Sequence, residues 1–278
     1  MARHESELNT PTHSVAGRES VEPGKTPRVG CVKYLNARPL VHGLPGDVVF
    51  DHPSKLCQQL GDGALQVALT SSFEFLRNPS YVMVDGVCIA SQGPVHSVFV
   101  AYVGELAEIE EIEIDPASLT STNLLRCLLA EAGFSPKLIT GTPLVQRAVT
   151  PRLAKFFIGD QAIRFRERSA GALRFWDLGE EWEKITQLPF VYALWLIRPE
   201  VPSPKLIADR LRACRDNNLR ELDSLIAAER EFSPQFCAHY FRECLTYHFG
   251  PRERDGLAMF RKLCEKHGIL SFRPIIGP

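Results

Sequence analysis

At 278 residues the chain is long enough for folding to bury roughly three quarters of its unfolded surface, so its core requires no disulfide or metal staple. Hydrophobic residues make up 45% and charged ones 23%, ordinary globular values. The 32 Lys plus Arg stand against 33 Asp plus Glu, a balance that excludes sequence-independent attraction to nucleic acid or to an anionic membrane. An anionic ligand must therefore be held by local geometry.

No apolar run reaches the roughly 20 residues of a membrane span. Residues 1–27 lack an apolar signal-peptide core, and their Glu residues argue against a transit peptide. They read as a disordered tail, and the protein as cytoplasmic. From residue 28 the pattern gives a strand over 28–32, a helical turn over 36–42 with Pro39 near its start, and a strand over 47–50. A helix over 53–61 follows, punctuated by Gly61 and Gly63, then a strand over 67–69 and a helix over 73–76 behind the capping pair Ser71 and Ser72. Strands at this spacing with helices between them predict βαβ units and a mostly parallel sheet.

Apolar runs follow at 81–84, 87–90 and 97–103, then a charged edge over 105–113. A second β-α cycle comprises a strand at 112–114, a helix over 123–130 preceded by Ser118 to Ser121 and closed by Gly133, a strand at 156–158, and a helix over 161–164 entered through Gly159 and Asp160. Residues 190–197 are apolar at every position, as a strand covered on both faces must be. Beyond Pro204 the pattern is purely helical, over 205–229, 234–245 and 251–267. The expectation is an α/β protein with a tail (1–27), a discontinuous lobe I (28–103 and 191–278) and a lobe II (104–190). Chain crossings near 97–103 and 190–197 would put the ligand cleft between the lobes, with helices at the carboxyl end.

The eight cysteines are scattered without a CxxC pair. Cys237, His239 and Cys244 lie close in sequence, but no second pair at zinc-ligand spacing follows. They read as reduced, buried small hydrophobes, and no metal is expected. Nucleophile-elbow, phosphate-loop, HExxH and dinucleotide glycine motifs are all missing. Trp176, Trp182 and Trp195 read as core, and Asp177-Leu178-Gly179 with Glu180 and Glu181 as a helix start.

Four strand-to-helix turns carry small polar residues: Asn36, Ser71 with Ser72, Ser118 to Ser121, and Gly159 with Asp160. Free N–H groups and the positive end of the helix dipole make such turns carboxylate sites, and in open parallel sheets they share the strand carboxyl edge. The stretch Ser91-Gln92-Gly93-Pro94-Val95-His96-Ser97 is the most unusual. Gly93-Pro94 forces a tight turn just before a crossing strand, with Ser97 facing the cleft and His96 the opposite side.

The opening stretch from Arg28 to Leu40, with Lys33-Tyr34-Leu35-Asn36 at its centre, resembles the first motif of the chorismate dehydratase family. Further segments are similar to that family in the same order: Phe73-Glu74-Phe75-Leu76, the Ser91-to-Ser97 turn, Asp115 to Ser121, Ile158-Gly159-Asp160-Gln161-Ala162-Ile163, Asp177-Leu178-Gly179, and Leu188 to Ala193. The resemblance covers residues 28–200 strongly and the terminal helices weakly. It implies a type II periplasmic-binding-protein-like fold and loss of water from chorismate to give 3-[(1-carboxyvinyl)oxy]benzoate, the first step of the futalosine route to menaquinone. Chorismate is then the small-molecule partner, with no cofactor. Asn36 and Ser97 match the motif's asparagine and serine, which the resemblance places at the substrate. The chain departs from the pattern at Leu119, where arginine is usual, at Gln187, where glycine is usual, and over Thr70-Ser71-Ser72.

On this reading Asn36 and Ser97 hydrogen-bond the reacting centre, while Ser71, Ser72, Ser118, Thr120 and Ser121 hold the two carboxylates beside Gly159 and Asp160. Two options for the base stay open: Asp160 or Glu74, or a carboxylate of the substrate itself. Two other functions compete. A non-enzymatic binding protein for a small carboxylate would normally carry a secretion signal. The related dihydroxynaphthoate synthase typically opens with Ser-Pro-Cys-Pro-Asn-Asp-Thr, which residues 33–40 do not match.

Overall fold

The computed structural model describes residues 27–115, 118–141, 148–169, 171 and 173–270. The tail expected over 1–27 lies outside them except for Pro27, as do Pro116 and Ala117 of the motif from Asp115 to Ser121.

The chain opens with β1 (Val29–Val32), a single 3-10 turn (Leu35–Ala37) and the short α1 (Arg38–Val41). Then come β2 (Val48–Asp51), α2 (Pro53–Gly61), β3 (Val67–Ser71), α3 (Ser72–Arg77) and the long β4 (Val82–Ser91). The middle third holds β5 (Val98–Tyr102), β6 (Glu111–Ile114), α4 (Leu119–Glu131), β7 (Lys137–Thr140), β8 (Leu153–Ile158), α5 (Gly159–Arg168), β9 (Arg174–Asp177) and α6 (Leu178–Thr186). The chain returns through β10 (Phe190–Ile197) and ends in α7 (Pro204–Arg220), α8 (Leu222–Ala228), α9 (Pro234–His239), a π turn (Tyr240–Cys244), β11 (Thr246–Phe249) and α10 (Pro251–Lys266).

Two sheets result. One runs β11-β4-β10-β3-β1-β2 and the other β7-β6-β8-β5-β9. Both are mixed, which corrects the mostly parallel sheet. In the first, β1 pairs in parallel with β2 and β3, but β10 runs antiparallel to both β3 and β4, and β11 antiparallel to β4. In the second, β6 is parallel to β7 and β8, while β5 is antiparallel to β8 and β9. The strands that flank the two passages between sheets, β4 with β5 and β9 with β10, all make antiparallel pairs, a feature that hydrophobic periodicity does not encode. β5 belongs to the second sheet, so the change of lobe comes just before Val98 rather than at residue 104.

β3 and β10 are buried along their whole length, as strands covered on both faces must be. Behind β10, Trp182 of α6, Phe190 and Phe260 of α10 meet edge-on with ring centroids 4.9–6.2 Å apart. Trp182 and Trp195 are fully buried, and seven of the eight cysteines are buried, all eight with free thiols. Among the described residues, no helix is long and apolar enough to cross a membrane.

Several element boundaries differ from the sequence reading. The runs at 81–84 and 87–90 form one strand, β4, bent at Gly86, whose φ of 82° is open to glycine. The helix over 205–229 breaks near Glu221 into α7 and α8, and the expected helix over 234–245 becomes α9 followed by the π turn. β7, β9 and β11, each four residues long with charged or polar residues among them, are not marked by the sequence pattern. Ser118 is the N-cap of α4, and Thr120 and Ser121 form its first turn rather than a loop before it.

Gln187 closes α6 in the left-handed region (φ 58°, ψ 21°), and this gives the usual glycine there a physical reason. Its side-chain amide donates to the Glu183 carbonyl at 3.0 Å, an exposed bond that only partly offsets the strain. Gln187→Gly is expected to stabilise the fold by about 0.5–1 kcal/mol, read as a higher urea midpoint at unchanged slope. A lowered midpoint would show that the amide bond outweighs the backbone strain.

Candidate active site

A cleft lies between the two sheets, with about 530 Å³ of empty space when its open mouth is counted. Val32 at the end of β1, Tyr34 and Asn36 just after it, Ser71 at the end of β3, and Tyr192 with Ala193 of β10 form one wall. Ser118 to Ser121 at the start of α4, and Ile158 with Gly159 at the start of α5, form the other; Val95, Ser97 and Val98 close the back. Asn36, Ser97, Ser71, Ser118, Thr120, Ser121 and Gly159 therefore all meet in one place.

Two of these groups have no partner among the described residues: the buried carboxamide oxygen of Asn36 and the hydroxyl of Ser118. A buried polar group left unpaired costs about 1–3 kcal/mol, so a ligand that bonds both recovers that cost on binding. Ser118 caps α4 by position, yet its side chain makes no capping bond, which leaves the first-turn N–H groups free of one. Ser71 Oγ and Thr120 Oγ1 lie 2.5 Å apart across the cleft, and the Phe73 N–H donates to the same Thr120 oxygen at 3.3 Å.

Among the described residues lining the cavity there is no Lys, Arg, His, Asp, Glu or Cys. The titratable groups there are Tyr34 and Tyr192, and burial pushes both phenols well above their ordinary value, helped by Asp115 and Asp160 at Tyr34 and by Asp177 at Tyr192. Both are donors near neutral pH, not bases. Leu119, where the resemblance leads one to expect arginine, lies on the wall as a half-buried apolar side chain. The basic side chains of Lys33 and Arg38 line a separate groove beyond Tyr34. A charged ligand in the cavity would find hydroxyls, amides and the start of α4.

The Ser97 turn is held from several sides. The buried Asp177 carboxylate accepts from the N–H groups of Val95 (3.0 Å) and His96 (2.8 Å), and also caps α6 through Gly179 and Glu180. Burial raises the Asp177 carboxyl above its ordinary value, against the lowering effect of those N–H groups. Gly159 donates its N–H to the Ser97 carbonyl at 2.8 Å, so that amide is not free for a ligand. A Cβ on Gly159 would fall 2.6 Å from the Tyr34 ring, and its φ of 62° disfavours any other residue. Asp177, read from sequence as a helix cap alone, also fixes this turn; strand-to-helix spacing carries no sign of the second role.

Two expected contacts are absent from the cavity wall. Ser72 points away, donating to the Val191 carbonyl at 2.7 Å. Asp160 accepts from the Leu35 N–H at 2.8 Å, joining α5 to the turn after β1, and burial raises its carboxyl above the ordinary value. It latches the lobes rather than lining the cavity. Glu74, also off the wall, is buried and paired with Arg77. His96 faces away from the cleft, as its position next to Ser97 requires, and sits with φ 61° against His239, ring centroids 5.5 Å apart. Burial, and then the Arg166 guanidinium, lower its pKa.

Cys237 stands apart from that histidine pair, but Cys244 joins it. Donor atoms of His96, His239 and Cys244 lie within 4.8 Å of one another. A tetrahedral ion with bonds of about 2.0–2.3 Å holds its ligands roughly 3.3–3.8 Å apart, and His239 Nδ1 is already 3.1 Å from Glu243.

Known proteins share both this sequence pattern and this architecture. The model of a family described as Menaquinone biosynthesis matches residues 27–266. The chorismate dehydratase of Thermus thermophilus is 29% identical over 271 residues, spanning 90% of this chain and 98% of that one. Among solved structures, protein AF1704 of Archaeoglobus fulgidus aligns with TM-score 0.70 at 15% identity, over 88% of this chain and 98% of its own. The periplasmic aliphatic sulphonate binding protein of Escherichia coli aligns with TM-score 0.60 at 16% identity, over 88% and 94%. At such identities these two matches establish the fold alone: two lobes of the periplasmic-binding-protein kind around a cleft.

Proposed function

We propose, from the premise that the chain belongs to the menaquinone biosynthesis family whose model spans residues 27–266, that it is a hydro-lyase converting chorismate to 3-[(1-carboxyvinyl)oxy]benzoate on the futalosine route, in the cytoplasm. The observation that carries the reading is a cleft lined by hydroxyls, an unpartnered carboxamide and helix starts, with no acid–base side chain on its described walls. Such a site suits a reaction that needs orientation more than proton shuttling.

In the product the ether-bearing ring carbon has lost its hydrogen and the neighbouring carbon its hydroxyl. Together they leave as water, and aromatisation supplies most of the driving force. What the protein adds is a fixed substrate conformation and hydrogen bonds where negative charge develops. One carboxylate is held at the start of α4 by Ser118, Thr120 and Ser121, the other near Ser71, with Asn36 and Ser97 at the reacting carbons.

With Asp160 and Glu74 both off the wall and bonded elsewhere, a carboxylate of the substrate takes the ring proton. Asp160→Asn keeps an acceptor for the Leu35 N–H, and Glu74→Gln keeps the side-chain shape. Both variants are expected to retain turnover within a few-fold, measured at saturating chorismate. Loss of turnover with binding intact in either variant would restore that residue as the base.

The activity itself is tested by incubating purified protein with chorismate and following the aromatic product by ultraviolet absorbance. Turnover is the expected result. Binding without turnover would favour a carboxylate-binding protein on the same fold.

A further inference from the structure

Tyr240 is fully buried, and its hydroxyl donates to Ser97 Oγ at 2.7 Å across a sequence separation of 143 residues. Its ring is clamped from outside, stacked on Phe236 with centroids 5.3 Å apart and planes at 20°. It opens the π turn that ends α9, closed by the Leu245 N–H bonding back to the Tyr240 carbonyl at 3.1 Å. A π turn is a rare insertion, found frequently at functional sites. Here it lets a helix from the last part of the chain reach the back of the cavity.

The direction of this hydrogen bond decides what Ser97 can do. A serine hydroxyl has one proton and two lone pairs. With Tyr240 donating, a lone pair is occupied and the Ser97 proton is left to be given to something else. The Ser97 backbone cannot swing to change this, because Asp177 holds the N–H groups of Val95 and His96 and Gly159 holds the Ser97 carbonyl.

We infer that Tyr240 is a positioning residue that fixes Ser97 as a hydrogen-bond donor to the substrate oxygen on which negative charge develops, the departing hydroxyl. The inference rests on the proposed dehydration. A donor that itself accepts a hydrogen bond is the stronger donor, so the Tyr240–Ser97–substrate chain gains by cooperation as charge builds up. Tyr240 never touches the substrate and is not a catalytic residue in its own right.

The test is a double-mutant cycle on the full chain with chorismate as substrate: wild type, Tyr240→Phe, Ser97→Ala and the double variant, each checked by thermal unfolding. Tyr240→Phe is expected to lower kcat about tenfold with KM within about twofold, the scale of one lost hydrogen bond in the transition state. In the Ser97→Ala background the same change is expected to cost less than about twofold, since the group it directs is gone. A purely structural role would instead multiply with Ser97→Ala. Tyr247→Phe serves as the matched control, because the Tyr247 hydroxyl is buried without a partner among the described residues and its removal should leave kcat unchanged. Wild-type kcat in Tyr240→Phe, multiplicative losses in the cycle, or an equal loss in Tyr247→Phe would each overturn the inference. An inactive wild type would instead overturn the functional reading, and this inference with it.

Discussion

Ser97→Ala and Asn36→Ala are each expected to lower kcat for chorismate dehydration by about tenfold to a thousandfold, the range for loss of a hydrogen bond that forms fully only in the transition state. The two should differ in character. Ser97 is held as a donor, its carbonyl and neighbouring N–H groups already engaged. Its removal takes away stabilisation of departing hydroxide and leaves KM nearly untouched. Asn36 presents a buried carboxamide oxygen with no partner among the described residues, so it is ready to accept a ligand donor in the ground state as well. Asn36→Ala should therefore raise KM in addition to lowering kcat. Steady-state kinetics at several chorismate concentrations separate the two patterns. Near-normal rates in both variants would sink the assignment of this cavity as the reaction site.

Gly256→Ala is expected to destabilise the fold by about 3 kcal/mol, at the upper end of overpacking costs, and to lower Tm by roughly 6–12 °C for a chain of this size. The sign is what makes this informative. In an ordinary helix interior the same change would stabilise by about 1 kcal/mol through propensity. Here α10 lies so close to the chain entering β10 that a Cβ on Gly256 would come 2.0 Å from the Pro189 carbonyl oxygen and 3.2 Å from its carbon. Both are backbone atoms, and β10, buried along its length between β3 and β4, has no room to retreat. Because β10 carries Tyr192 and Ala193 on the cavity wall, turnover should fall along with stability. An unchanged or raised Tm would mean that α10 does not press on β10 as described.

The parts of the site legible in the sequence are those that local chemistry dictates. Small polar residues at helix starts marked Asn36, Ser71, Ser118 and Gly159, and the Gly93-Pro94 turn marked Ser97; all of them meet in the cavity. The same logic misplaced Ser72 and Asp160. An N-cap pattern says that a polar group is present at a turn, but not whether its partner will be a ligand, the Val191 carbonyl or the Leu35 N–H. The tyrosines at the site were harder still. Tyr192 sits on a strand apolar at every position and Tyr240 on a helical run, so periodicity files both as core, which by burial they are.

The sequence by itself determined the alternation of strands and helices through α3, the fully covered strand 190–197, the helix starts, and the motif order that points to the family, because each depends on residues within one or two turns of one another. Only the tertiary structure decided which way β10 and β11 run, that β5 joins the second sheet, and that Asp160 is a latch. It alone brings a tyrosine from the carboxyl-terminal helices to direct Ser97. These are long-range pairings, each selected by what happens to lie opposite in the folded chain. A hydroxyl or carboxyl in a linear sequence has the same chemistry whichever partner it finds, and packing of the whole chain chooses that partner.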